Sequence, residues 1–252
     1  MASLRLAASI VFAGFLALSG CASLETPFLK ASDQFPIAYR MHRAEEPRGA
    51  VLLVHGLGTS RHEWYTFEKA LRREGWTTLA MDLRGHGESI FLGNDEIRWT
   101  EMTEAGRISS VRDVQAAAAY MKKVLPEAQG SLWIAGSSFG SSLALRYAVT
   151  DSGISGLILL SPGLNYGGVE ISEAAQAYRQ RPVFIAASRD DFGAVRAAET
   201  LAAMMPSESK KVALREKAGH GSAMLEASPD LEKEVLQWLN EAASVRPKTI
   251  SG

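Results

Sequence analysis

Five residues, Gly136-Ser137-Ser138-Phe139-Gly140, set a serine between two glycines in the pattern G-x-S-x-G. The stretch before them, SLWIAGS, is short and apolar; the stretch after, FGSSLALRYAV, has helical spacing. A strand that reverses tightly into a helix crowds the positions two before and two after the turn, so Gly136 and Gly140 leave room where a Cβ would collide. Ser138 is therefore expected at the apex, in a strained conformation, with its hydroxyl exposed above a sheet and a helix N-terminus beneath it. Such a serine is a candidate nucleophile.

A serine hydroxyl is almost never ionised at neutral pH and needs a base. Of His42, His55, His62, His86 and His220, only His220 follows the elbow, in the glycine-flanked loop AGHGS. The acid that fixes the imidazole tautomer is expected after a strand lying between the two. PVFIAASRDDF supplies Asp190 and Asp191 there. Neighbouring side chains leaving a strand point apart, so one of the two reaches His220. Acyl-transfer chemistry also needs two backbone N–H groups converging on the developing oxyanion. Phe139, next after the serine, offers one. The VLLVHGLG loop offers the other at Leu57, where Gly56 lets the backbone turn close and His55 supports the loop.

These residues need elements to hold them. Short apolar runs, AVLLVHG, TTLAMDLRG, SLWIAGS, GLILLSPG, PVFIAAS and KVALREKAGHG, alternate with stretches of three-to-four apolar spacing at Trp64 to Glu74, Val111 to Leu125, Phe139 to Val149, Ala194 to Met204 and Leu231 to Ala242. Alternating strands and helices imply an α/β fold: a mostly parallel, doubly wound sheet with helices on both faces. Phe35, Ile37, Tyr39 and Met41 alternate ahead of it and read as a hairpin or edge strands. Ser109 or Ser110 is placed to cap the second helix, and Pro126 to follow its end. The connection from Pro162 to Pro182 is the only place this reading leaves for a lid, and it is too short for a separate cap domain.

Across 252 residues, 46% hydrophobic and 22% charged, 27 Lys and Arg nearly balance 28 Asp and Glu. The length suits one large domain, and without a basic cluster nucleic acid is not an expected partner. The first stretch, MASLRLAASIVFAGFLALSGC, has one positive residue, Arg5, then an uncharged apolar run ending in small residues. It has the layout of a signal peptide, too short for a transmembrane helix of roughly 20 apolar residues. The only cysteine, Cys21, excludes an intrachain disulfide. Leu18-Ser19-Gly20-Cys21 resembles the bacterial lipobox, in which the cysteine carries lipid and begins the mature chain. The expected organisation is a lipoprotein signal peptide over 1–20 and one domain over 21–252, lipid-anchored in a bacterial envelope and facing the periplasm. Ala22, with no aspartate after the cysteine, favours the outer membrane over the inner.

Taken together, HGLG (His55 to Gly58), MDLRGHGES (Met81 to Ser89), GSSFG, SRDD (Ser188 to Asp191) and GHG (Gly219 to Gly221) resemble the α/β-hydrolase superfamily, closest to its monoacylglycerol-lipase and serine-aminopeptidase-like branch, over about residues 30 to 242. The resemblance implies structural roles for Asp82, Arg84 and His86. It also assigns the acid to Asp191, leaving Asp190 to point into solvent or cap a helix starting near Gly193. Two departures are Ser137, where the family usually has histidine or a similar polar residue, and the nearly absent cap. The implied activity is hydrolysis of a carboxylic ester on Ser138, without metal or organic cofactor, on a small-molecule ester or lipid substrate. A lysophospholipase or monoacylglycerol lipase, a thioesterase and a peptidase are alternatives within the fold; a non-catalytic envelope lipoprotein is the alternative outside enzymes. Serine at the apex argues against the haloalkane dehalogenases and epoxide hydrolases of the superfamily, which carry aspartate there.

Overall fold

The structure, a computed structural model, describes residues 26–126 and 131–245. The expected signal peptide and Cys21 lie outside the described residues. Eight strands form one sheet: β1 (Phe28–Lys30), β2 (Pro36–His42), β3 (Gly49–Val54), β4 (Trp76–Met81), β5 (Leu132–Ser137), β6 (Ile154–Leu160), β7 (Val183–Ser188) and β8 (Lys210–Arg215). Their spatial order is β1-β2-β4-β3-β5-β6-β7-β8. β2 pairs antiparallel with both β1 and β4, and every pairing from β4 to β8 is parallel. The Phe35 to Met41 alternation thus becomes β2, hairpinned onto β1.

β3, β4, β5 and β7 are buried at every position, which is why they read as continuous apolar runs rather than alternating ones. Alternate residues feed two cores. Leu52 and Val54 face α3 (Val111–Val124), α4 (Phe139–Ala148) and α6 (Phe192–Met204) through Val114, Leu143 and Ala198. Val51 and Leu53 face α1 (Tyr65–Arg73) and α8 (Pro229–Ser244) through Phe67, Leu71 and Trp238. Each fully buried Leu or Ile contributes roughly 1.5–3 kcal/mol.

Three short helices escaped the sequence reading: α2 (Glu104–Ser109), α5 (Ser172–Ala177) and α7 (Ala223–Ala227). Each is too brief to show an apolar period. α2 also corrects the capping expectation for α3. Ser110 sits at the N-cap position with φ −61° and ψ −15° and makes no side-chain cap bond, because the chain enters α3 already helical. The Ser109 hydroxyl donates to Gly106 O at 2.7 Å.

The lid expectation needs a similar correction. Pro162 to Pro182 holds a small ribbon, Asn165–Tyr166 paired with Val169–Glu170, and α5. It is not the only segment over the carboxyl ends of the strands. After β4 the chain makes a second ribbon, Phe91–Leu92 with Asp95–Glu96, then a turn of 3-10 helix at Trp99–Glu101. Sequence-local pairing this short leaves no periodicity to find.

That second segment is rooted by the MDLRGHGES turn. Arg84 is buried; its Nη2 meets Asp113 of α3 at 2.6 Å, and its Nη1 meets Asp33 of the β1–β2 turn at 2.8 Å. The guanidinium holds the Asp33 carboxyl down at a pKa of about 2. Asp82, fully buried, pairs with Arg61 and accepts from the amides of Arg61 at 2.7 Å and Glu88 at 2.9 Å. Both residues are structural. Asp113→Ala, which strips the buried partner from Arg84, is expected to lower the unfolding free energy by about 3–5 kcal/mol, and Arg112→Ala, which removes an exposed partner of Asp33, by at most about 1 kcal/mol. Urea denaturation of the two variants checks the contrast.

Candidate active site

Ser138 joins β5 to α4 with φ 52° and ψ −116°, a left-handed conformation costly for a residue with a side chain. The glycines around it behave as steric argument requires. A Cβ on Gly140 would lie 2.2 Å from the carbonyl oxygen of Val54, and one on Gly136 would lie 2.5 Å from that of Gly140. Backbone therefore packs directly on backbone at both positions. Ser138 N–H donates to Leu160 O at 2.8 Å, and the Ser141 hydroxyl to Gly136 O at 2.7 Å, clamping the turn from β6 and from α4.

His220 and Asp191 arrive from the ends of β8 and β7. Ser138 Oγ lies 2.7 Å from His220 Nε2, and His220 Nδ1 lies 2.5 Å from Asp191 Oδ2. With the serine hydroxyl donating to Nε2, Nδ1 carries the proton and donates to the carboxylate. The aspartate has a second duty: its Oδ1 accepts from Ala194 N–H at 3.2 Å and caps α6. Of the two places expected for Asp190, solvent or the cap of this helix, it takes the first, since α6 begins at Phe192 and its cap falls on Asp191. Asp190 is exposed and accepts a long 3.3 Å bond from Gly219 N–H.

The sequence reading missed what holds the histidine loop. Its amides run onto hydroxyls at the ends of three adjacent strands: Ala218 N–H donates to Ser188 Oγ at 2.7 Å, Gly221 N–H to Ser161 Oγ at 2.8 Å, and Ser222 N–H to Ser137 Oγ at 3.0 Å. All three serines are buried. A buried serine at a strand's carboxyl end was the available signal, but it does not stand out among small residues.

The HGLG loop lies against the elbow; a Cβ on Gly56 would be 3.3 Å from that of Ser138. Leu83 N–H donates to His55 Nε2 at 2.9 Å, so the His55 proton is on Nδ1, which donates to Gly56 O at 2.7 Å. Gly58 N–H donates to His86 Nε2 at 3.1 Å, and His86 Nδ1 donates to Arg84 O at 2.9 Å. Both imidazoles are neutral supports, as expected of them. Burial is the main cause that lowers their pKa values, that of His55 to about 3. Because the Gly56 carbonyl is turned to His55, the Leu57 N–H on the same peptide plane points the opposite way. Neither Leu57 N–H nor Phe139 N–H, the latter in the open first turn of α4, has an acceptor among the described residues.

From above, the Tyr166 ring meets His220 edge-on, with centroids 6.4 Å apart, and Trp99 stacks on His86. The cleft is open: the His220 side chain is 49% exposed. Neither aromatic carried a signal in the sequence. Among the described residues no cluster of acids, histidines or cysteines is arranged to hold a metal, and no helix is long and apolar enough to cross a membrane.

Residues 45–180 match the family described as Hydrolase_4: Serine aminopeptidase, S33. The chain belongs to this family. No curated protein matches the sequence. Among solved structures, this S33-family chain is similar to a soluble variant of monoglyceride lipase from Saccharomyces cerevisiae, with a TM-score of 0.71 at 16% identity, covering 86% of this chain and 94% of that one. It is also similar to an esterase from Pyrococcus furiosus (TM-score 0.69, 17% identity, 87% and 91% covered). A thermostable carboxyl esterase from Bacillus coagulans gives a TM-score of 0.68 at 15% identity, with 87% and 98% covered. At these identities the likeness establishes the α/β-hydrolase fold.

The His55 assignment has a measurable consequence. A histidine whose folded pKa lies near 3, against about 6.5 unfolded, leaves only the unfolded chain to take up a proton as pH falls through that window, and stability falls with it. His55→Gln is therefore expected to lose less unfolding free energy than the wild type between about pH 7 and pH 5. Denaturant titrations at both pH values check this, and equal losses contradict a buried neutral imidazole.

Proposed function

We propose that the protein is a serine hydrolase that cleaves carboxylic esters through an acyl-enzyme on Ser138. The observation that carries the reading is the continuous hydrogen-bonded chain from Ser138 through His220 to Asp191, built on the left-handed elbow. In this mechanism His220 takes the serine proton as Oγ attacks the ester carbonyl, while Asp191 holds the imidazole in the required tautomer and stabilises the imidazolium. The carbonyl oxygen, now negative, is met by the N–H groups of Leu57 and Phe139. His220 then protonates the departing alcohol and activates water for deacylation. No metal or organic cofactor enters these steps.

Ester over peptide substrates is supported by the similarity to esterases and a lipase, and by the way the site uses its acids. Anchoring a free peptide amine calls for a carboxylate. Asp191 is committed to His220 and Ala194, and Glu63 to Gly56 and Thr59. The lipid anchor at Cys21, placing the enzyme on the periplasmic side of a bacterial envelope membrane, belongs to the same proposal and rests on the Leu18-Ser19-Gly20-Cys21 layout alone.

A panel of ester, thioester and amide substrates of rising acyl length, with Ser138→Ala as blank, tests the reading; esters should turn over fastest. Ser138→Ala should lose on the order of 10⁶ in kcat, and a variant at the wild-type rate would sink the mechanism. Asp191→Asn should lose about 10⁴ in kcat. Asp190→Asn should stay close to wild type, and the assignment fails if it is the inactive one of the pair. Metabolic labelling with a palmitate analogue is expected in the wild type and absent from Cys21→Ser; unchanged labelling removes the anchor.

A further inference from the structure

Glu63, an acid the proposed chemistry leaves unused, sits beneath the HGLG loop, just before α1. Its Oε1 accepts the Gly56 N–H at 3.2 Å, and the Thr59 hydroxyl, itself 2.9 Å from Gly56 O, donates to Oε2 at 2.6 Å. Three consecutive peptide planes of the loop are thereby fixed by three side chains. Glu63 takes the amide of Gly56, His55 holds the carbonyl of Gly56, and His86 takes the amide of Gly58. Leu57 N–H is the one amide in this run that is not claimed.

We infer that Glu63 is a positioning residue for the oxyanion hole: by holding the Gly56 amide it keeps the Leu57 N–H turned toward the oxygen of a substrate on Ser138. The inference rests on the ester-hydrolase reading for its substrate, but the geometry of the loop does not. A second observation places Glu63 where it matters. Burial raises the pKa of its carboxyl, against the opposing effect of the Thr59, Ser137 and Ser222 hydroxyls and the Gly56 amide around it. Ser137 Oγ in turn receives Ser222 N–H at 3.0 Å. The carboxylate therefore lies between the loop that carries Leu57 and the loop that carries His220.

A carboxylate acting through the loop should affect the transition state more than substrate binding. Glu63→Ala should lower kcat roughly 10- to 100-fold, the cost of a small misplacement, with KM within about threefold of wild type. Glu63→Gln keeps an oxygen for the Gly56 amide and should recover most of that loss. Hydrogen exchange read by mass spectrometry on peptides covering residues 55–60 supplies a measure independent of turnover, and should accelerate in Glu63→Ala and much less in Glu63→Gln. Unchanged exchange in Glu63→Ala overturns the inference, as does an unchanged kcat, or a Gln variant no better than Ala. A wild-type chain that neither hydrolyses esters nor reacts with a fluorophosphonate overturns the hydrolase reading instead, and the exchange result still decides whether Glu63 holds the loop.

Discussion

The site depends on one close approach. For β5 to turn directly into α4, the first turn of that helix must lie against the end of β3, and Gly140 meets the carbonyl oxygens of Val54 and His55 with no space for a side chain. The left-handed Ser138 is the strained link that makes this approach possible, at a cost of about 1–3 kcal/mol. The cost is borne by a neighbourhood with little freedom to relax: β3 and β5 are buried throughout, and bonds to Leu160 and Gly136 hold the turn from two sides. The same contact sets the HGLG loop beside the serine, because that loop begins where β3 ends. The elbow and the loop are thus placed by one packing event.

Around that event the polar groups divide by solvent exposure. His55 and His86 are buried, neutral and engaged at both ring nitrogens, so neither has a lone pair or proton to spare. His220 is half exposed and is held at the backbone of its loop, through hydroxyls of Ser137, Ser161 and Ser188, rather than by burial of its ring. Ser161 reaches this position with φ 47°, a second left-handed residue at the end of the strand beside β5. A buried ring would pay desolvation on becoming imidazolium. A ring placed by its backbone at an open cleft stays reachable by solvent and within 2.7 Å of the serine.

The sequence was most legible where a residue type has one steric explanation. Gly136 and Gly140 specify the elbow because only a missing Cβ satisfies it, and the runs that became β3, β4, β5 and β7 read as strands because burial on both faces leaves no polar alternation to confuse them. Asp191 and Asp190 were less separable: chain position distinguishes them weakly, and the double engagement of Asp191, with His220 and with the amide of Ala194, exists only in three dimensions. Glu63, Ser161 and the loop-holding role of Ser188 were silent for another reason. Each acts through backbone amides, which any sequence supplies, so neither partner of the bond is marked by its residue type. The ribbon at Phe91 to Glu96 and the helices α2, α5 and α7 were hidden by brevity.

Ser137, which departs from the residue usual in the family, finds its explanation in packing. A Cβ on Gly221 would lie 2.5 Å from Ser137 Oγ, so the histidine loop rests directly on this side chain. A bulkier residue at 137 would lift the loop, and with it the His220 ring, off the elbow; a residue without a hydroxyl would leave the amide of Ser222 without its acceptor. Ser137 is small enough for the loop to close and polar enough to bond it once closed, and Gly221, at φ 65°, completes the fit from the other side. The two positions constitute one solution: Ser137 and Gly221 together let the loop that carries His220 close onto the elbow.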